Sequence, residues 1–556
     1  MKLSGAQTVV ECLKREGANI IFGYPGGAIM PVYDVLYKET SLEHILTRDE
    51  QGAVHAADGY ARATGKTGVC IATSGPGATN LVTGLANAYL DSIPLVAFTG
   101  QVPTKLIGTD AFQEVDISGI TFPITKNNYV VRDVRDLTSV IKEAFYIART
   151  GRPGPVLIDL PKDIQLAQTE FEYPKKVNII SYKPTHNGHI QQIRAAAREI
   201  GKAKRPVVYA GGGVVASNAS SELRDLILKT NIPVTTTLMG LGSFPETHPL
   251  SLRMLGMHGT PYANYAISVS DLIIALGVRF DDRVTGKLAE FGSQAKVIHI
   301  DIDPAEIGKN VLVDIPIVGD LKKVLQKLNE FADKKKEVEW LETIEDWKNK
   351  YPLKYDNNEE LKPQYIMEAI YKITEGRAVI VTDVGQHQMW AAQYYQYSEP
   401  RTFISSGGLG TMGYGLPAAI GAKIGCPEKK VVCISGDGSF QMNLQEMATA
   451  VSNNLAITVI VINNSYLGMV RQWQELFFNR RYAATNLIGN PDFVKLVEAY
   501  KGIGIRVSKK EELYPALEEA FSLNRFTLID CIIPEGENVF PMVAPGLSIS
   551  EMIGVD

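Results

Sequence analysis

The sequence predicts an α/β protein of three tandem doubly wound parallel-sheet domains. Three observations carry that expectation: a length of 556 residues, short apolar runs alternating with amphipathic helical stretches, and two breaks in the alternation. One hydrophobic core stops growing at about 250–300 residues, so this length implies about three domains.

In the first domain, residues 1–170, apolar runs at 20–22, 68–72, 95–99 and 156–159 have the length and composition of buried strands, and 51–63 has a helical pattern. Residues 171–190 are polar, with Lys, Pro and Asn and no strong period, and read as a linker. The second domain, 190–340, opens with the strand before Gly211-Gly212-Gly213, has strands at 272–276 and 297–301, and closes in a charged helix carrying Lys334-Lys-Lys-Glu-Val-Glu, a solvated face. The third, 360–535, has strands at 378–383, 431–435, 457–463 and 528–533, and a C-terminal tail covers 536–556.

Composition narrows the function classes. Apolar residues at 45% and charged residues at 21% suit a globular chain, and a net charge of −5 without a Lys/Arg stripe argues against nucleic acid or an anionic membrane as partner. No run of roughly 20 apolar residues offers a membrane span, and the N-terminus lacks the apolar stretch of a signal peptide. Cys12, Cys70, Cys426, Cys433 and Cys531 are scattered as packing residues, as expected of the cytoplasm.

The sharpest chemical signal is Val431-Val-Cys-Ile-Ser-Gly436-Asp437-Gly438-Ser439-Phe440, a buried strand ending in a Gly-Asp-Gly turn, with a helix expected over about 443–451. Glycines let backbone approach a phosphate, a helix N-terminus favours negative charge, and Asp437 between them suits a hard divalent cation. Residues 439–462 separate this turn from Asn463-Asn464 at the end of the next strand. Either motif alone is a plain turn; paired at strand ends with this spacing they point to a phosphate-bearing ligand. Asp383-Val-Gly385-Gln386-His387-Gln388 follows another strand, and Ser406-Gly-Gly-Leu-Gly410-Thr-Met412-Gly413 forms a glycine-rich loop between them. In the first domain, Asp49 and Glu50 stand at a helix start, where acids also serve as caps and dipole partners.

The GDG-x24-NN arrangement resembles the thiamine-diphosphate motif. Four further segments are similar to those of the biosynthetic acetohydroxyacid synthases: Gly23-Tyr-Pro-Gly-Gly27-Ala28, Ala111-Phe112-Gln113-Glu114, Asp159-Leu-Pro-Lys162-Asp163 and Gly468-Met469-Val470-Arg471-Gln472-Trp473. Leu276-Gly277-Val-Arg279-Phe280-Asp281-Asp282-Arg283-Val284-Thr285-Gly286 closely resembles that family's FAD-associated stretch, and the resemblance extends over essentially the whole chain.

The resemblance implies three cofactors: thiamine diphosphate, Mg²⁺ and FAD. Asp437 and Asn464 would give side-chain oxygens to the metal and Tyr466 its carbonyl. Gly385, Gln386, His387, Gly410, Gly436, Gly438, Ser439, Gly468 and Met469 would surround the thiamine cofactor, with Met412 wedged beneath its two rings. Glu50 would be the carboxylate that activates the cofactor's aminopyrimidine, and Asp49 a neighbour without that role. Gly27, Phe112, Gln113 and Lys162 would line the reaction centre, Arg283 would meet the acceptor's carboxylate, and Trp473 would shape the acceptor pocket. Arg152, Gly211, Gly212, Gly213, Thr237, Leu238, His258, Gly277, Arg279, Asp301 and Asp320 would contact FAD. The three domains would in turn bind the pyrimidine, the flavin and the diphosphate.

The reaction implied is condensation of pyruvate with a second pyruvate or with 2-ketobutyrate, releasing CO₂, at the head of branched-chain amino acid synthesis. It is redox-neutral, so FAD would carry no electron in it, and the resemblance implies a structural or vestigial role. Glu50 would reach the cofactor of another chain, which requires at least a homodimer, and the family's enzymes usually bind a small regulatory subunit. Two competing readings stand: a pyruvate oxidase that reduces its flavin, and a catalytically silent cofactor-binding scaffold.

Overall fold

The computed structural model describes residues 1–334 and 338–555, and in it helices flank three six-stranded sheets that are parallel throughout. The three-sheet α/β architecture expected from the alternation is the one observed. Val431–Gly436, Ile457–Asn463, Leu272–Leu276 and Gly68–Ala72 are buried along their whole length. Sheets covered on both faces select such continuous apolar strands.

The first sheet runs Glu43–Leu46, Ile20–Gly23, Gly68–Ala72, Leu95–Gln101, Pro155–Pro161, Asn127–Val130. Numbered along the chain, that order is 2-1-3-4-6-5. The third sheet repeats it with Phe403–Ile404, Val379–Thr382, Val431–Gly436, Ile457–Asn463, Thr527–Ile532 and Ile503–Val507. The middle sheet runs Ser251–Met254, Val234–Thr236, Pro206–Ala210, Leu272–Leu276, Lys296–Asp301, Ile315–Val318, an order of 3-2-1-4-5-6. That is the order of dinucleotide-binding sheets, in which ligands enter where the winding reverses, at the carboxyl ends of the strands.

The first and third units meet along two helices, Glu50–Thr64 and Gly415–Gly425. A methyl built on Gly59 would lie 2.2 Å from the Ala418 carbonyl oxygen, and one on Gly421 only 1.8 Å from that of Ala56. Backbone therefore rests on backbone, and only glycine permits the approach.

Three expectations gain detail in the structure. The helix expected over about 443–451 is observed as a 3-10 turn, Leu444–Glu446, that runs into the α-helix Met447–Ser452, and an unexpected single helical turn, Asp437–Phe440, precedes it. Asn443 separates the two with φ −139° and ψ 30°, its side-chain amide donating to the Gly413 carbonyl at 2.8 Å. Residues 171–189 hold no helix, as a linker should, yet they are pinned: the Lys126 ammonium donates to the Tyr182 hydroxyl at 2.9 Å. In the charged helix, residues 335–337 of the run lie outside the described residues, and Val338–Lys350 is helical.

Residues 536–555 fold back as a strap. The Val543 N–H donates to the Met257 carbonyl, the Lys287 N–H to that of Leu547, and His258 Nδ1 lies 3.1 Å from the Pro541 carbonyl oxygen.

Candidate active site

The winding of the third sheet reverses between Val379–Thr382 and Val431–Gly436, and a cleft opens there. Gly385, Gln386, His387, Met412, Gly436, Asp437, Gly438, Ser439, Asn464, Tyr466, Gly468 and Met469 all line it, so the motif residues, far apart in the chain, converge. Gly410 stands behind this lining at φ +72°, a left-handed turn that brings the chain round to Met412.

The glycines are required by space. A methyl on Gly468 would lie 2.1 Å from Gln386 Oε1, and one on Gly436 2.9 Å from His387 Nδ1. Met412 hangs over the turn, its Cε 3.9 Å from where a Gly438 methyl would sit.

Charge in the cleft is poised for a ligand. Burial pushes the Asp437 carboxyl up to about 6, and among the described residues no cation pairs with it; Asn490 donates its amide to Oδ2 at 2.7 Å. Asn464 Oδ1 accepts the Tyr466 N–H at 3.1 Å, which folds the strand end so that the Tyr466 segment faces Asp437. Burial also lowers His387 to about 3, so the imidazole is neutral, and its Nε2 has no partner among the described residues. A lone buried carboxylate among amide and carbonyl oxygens can hold a hard cation with few protein ligands. An unpartnered imidazole nitrogen beside close-approach glycines fits phosphate oxygens.

On the first unit, Gly27, Glu50, Phe112, Gln113 and Lys162 all leave the carboxyl edge of the sheet. The ambiguity at the helix start is resolved: Asp49 caps the helix by accepting the Gln51 N–H at 2.7 Å, whereas the Glu50 carboxylate is buried and accepts the Asn80 amide at 3.0 Å. Gly27 faces open space and the Phe112 side chain is 88% exposed, while Lys162 is half-buried. None of these five lines the cleft of the same chain.

Arg283 and Trp473 do meet, although they come from different units, the guanidinium lying 6.0 Å from the centre of the indole ring. The strap assists, because Gln472, beside Trp473, exchanges two hydrogen bonds with the Val539 backbone at 2.8 and 3.0 Å.

In the middle unit the Gly213 N–H donates to the Gly277 carbonyl at 3.1 Å, so Gly211, Gly212, Gly213 and Gly277 gather where the winding reverses. Asp301 ends a strand of that sheet, and burial pushes its carboxyl up to about 6. Leu238 opens the short turn that Thr237 caps, and Arg279 lies 3.2 Å from a methyl built on Gly408. Other expected flavin residues have partners already: Arg152 pairs with Glu306 at 2.7 Å, Asp320 caps the helix Leu321–Phe331, and His258 faces the strap. Asn490 and the strap residue Val539 were not legible as site residues, since no local pattern marks them.

Comparison with known proteins agrees with this geometry. Residues 3–120 match the thiamine pyrophosphate enzyme N-terminal TPP binding domain, 193–328 the central domain and 383–531 the C-terminal TPP binding domain. The chain is 52% identical to the acetolactate synthase of Mycobacterium leprae over 99% of its own length and 90% of the relative's. It is 51% identical to the acetolactate synthase large subunit of Cyanidium caldarium (99% and 97%) and 50% identical to that of Buchnera aphidicola subsp. Schizaphis graminum (99% and 98%).

Proposed function

The chain belongs to the thiamine pyrophosphate enzymes, among the acetolactate synthase large subunits, and from that premise we propose that it condenses two 2-ketoacids with loss of CO₂. The products are 2-acetolactate from two pyruvates and 2-aceto-2-hydroxybutyrate from pyruvate and 2-ketobutyrate, the first common step of valine, leucine and isoleucine synthesis. The observation that carries the reading is the meeting of Arg283 with Trp473, which stands on the same helix, Gly468–Phe477, whose first turn, Gly468-Met469, lines the cofactor cleft. A guanidinium suits the acceptor's carboxylate, and an indole beside it limits the acceptor's tail.

Bound thiamine diphosphate supplies the electron sink for decarboxylation. The protein's residues hold and orient it: Asp437, Asn464 and the Tyr466 carbonyl take Mg²⁺, His387 and the cleft glycines take the diphosphate, and Met412 supports the rings. Glu50 reaches this cleft from a second copy of the chain, a reading supported by its absence from the cleft of its own chain. Gly27, Phe112, Gln113 and Lys162 come with it and close the site over the substrate. The relatives' designation as large subunits supports a smaller regulatory partner. The strand order of the middle sheet and the glycines at its reversal support bound FAD in a structural role. The unpaired cysteines support a cytoplasmic site of action.

Purified protein given thiamine diphosphate, Mg²⁺, FAD and pyruvate is expected to make acetolactate, identified by NMR, while the flavin stays oxidised. Acetate with bleaching of the flavin would make it an oxidase and overturn the assignments of Arg283 and Trp473. Trp473→Leu is expected to lower the preference for 2-ketobutyrate over pyruvate by roughly 10-fold, the worth of about one buried methylene. Product ratios in competition between the two acceptors measure it, and an unchanged ratio would remove Trp473 from the acceptor pocket.

A further inference from the structure

The glycine-rich loop 406–413 contributes one residue to the cofactor cleft, Met412, yet several of its hydrogen bonds lead away from the cleft and into the first unit. The N–H groups of Gly407 and Gly408 donate to the two oxygens of Asp91 at 3.0 and 2.7 Å. Ser406 Oγ donates to Asn87 Oδ1 at 2.5 Å and accepts the Thr411 N–H at 2.8 Å, one residue before Met412. Just beyond the loop, the Tyr414 hydroxyl donates to Asp58 at 2.5 Å.

These acceptors are themselves fixed. Arg62 donates to Asp58 at 2.6 Å and to Asp91 at 2.8 Å, and the Asn87 amide donates to Asp58 at 3.2 Å. The side chains of Arg62, Asp58 and Asp91 are at most 5% exposed. Asp91 also stands at the C-terminal end of the helix Val82–Leu90, where the helix dipole disfavours a carboxylate. Nothing local favours a negative charge there, so its contacts are the arginine and the loop. From the opposite side, Asp383 accepts the Gly413 N–H at 2.7 Å, and the loop is held at both ends.

We propose that Asp91 is a positioning residue for the cofactor: through Gly407, Gly408 and the Arg62–Asp58–Asn87 network it sets where Met412 stands in the cleft. The inference rests on the cleft being the thiamine diphosphate site. A carboxylate that accepts two N–H groups fixes both the height and the direction of the loop, because each oxygen has its own partner. An asparagine of the same size would turn an amide N–H toward one of those donors and leave buried Arg62 short of a countercharge.

The test is a titration of cofactor-free protein with thiamine diphosphate at saturating Mg²⁺, reading Kd from heat or intrinsic fluorescence. Saturable binding by the unaltered chain tests the cleft assignment separately. Asp91→Asn is expected to raise Kd roughly 10-fold or more. In a Met412→Ala background the same substitution is expected to add less than about 2-fold, since the side chain through which it acts is gone. A general loss of stability would weaken binding equally in both backgrounds. That result, or an unchanged Kd in the Asp91→Asn protein, overturns the proposal. If Asp91→Asn does not fold, Ser406→Ala, which cuts the link from Asn87 to the Thr411 N–H, decides the question by the same two titrations and the same criteria.

Discussion

Glu50→Gln is expected to cut acetolactate formation by about 10²–10⁴-fold, the usual worth of a positioned acid–base group, while leaving the cofactor's Kd nearly unchanged. The substitution is close to isosteric. Asp49, not Glu50, caps the helix, so the helix start survives, and Asn80 can still bond the remaining carbonyl oxygen. What disappears is a carboxylate able to share a proton with the cofactor's aminopyrimidine. Turnover of the variant and its Kd for thiamine diphosphate, measured side by side, separate the two effects. A variant retaining more than a third or so of normal turnover would remove Glu50 from the chemistry and favour the silent-scaffold reading.

Asp437→Ala is expected to weaken Mg²⁺-dependent cofactor binding by more than about 100-fold, because the cation loses its one carboxylate and keeps only neutral oxygens. The unaltered protein offers a second check. Without metal, burial pushes the Asp437 carboxyl up to about 6, above its ordinary value of 3.8. The neutral form is then the one favoured by folding, so this group's stabilisation is full below about pH 4 and is lost as pH rises through about 6. Mg²⁺ needs the ionised form, so its affinity should fall by about tenfold per pH unit below about 6. Thermal unfolding with and without Mg²⁺ and cofactor should show a larger upward shift near pH 7 than near pH 5, to the extent that this carboxylate controls binding. Equal shifts at both pH values would place the metal elsewhere.

The sheets and the cleft were legible in the sequence for one reason. Parallel strands are continuous apolar runs, and short motifs at their carboxyl ends collect on one edge whatever their separation along the chain. Asp437, Asn464 and His387 stand in such motifs, whereas Met412 was reached only through the family resemblance. Pairings over long sequence distance were not legible: Asn490 reaches Asp437 across 53 positions, and Asp91 reaches Gly408 across 317. Neither residue belongs to a local motif, so neither leaves a mark in composition or period. The helical turn at Asp437–Phe440 was not foreseen, because a Gly-Asp-Gly-Ser run reads as a plain turn. Asp49 and Glu50 were both plausible caps, and only the hydrogen bond to Gln51 chose between them.

The two helices at the seam, Glu50–Thr64 and Gly415–Gly425, occupy equivalent places, each between the second and third strands of its sheet. Their contacts are reciprocal as well: Gly59 faces Ala418, and Gly421 faces Ala56, the two contact residues on either helix standing three positions apart. Exchanging Ala56 with Ala418 and Gly59 with Gly421 maps the seam onto itself, which is the signature of an isologous interface. The chain thus contains a twofold pseudo-axis of its own, as if a symmetric dimer of one ancestral sheet had been joined end to end.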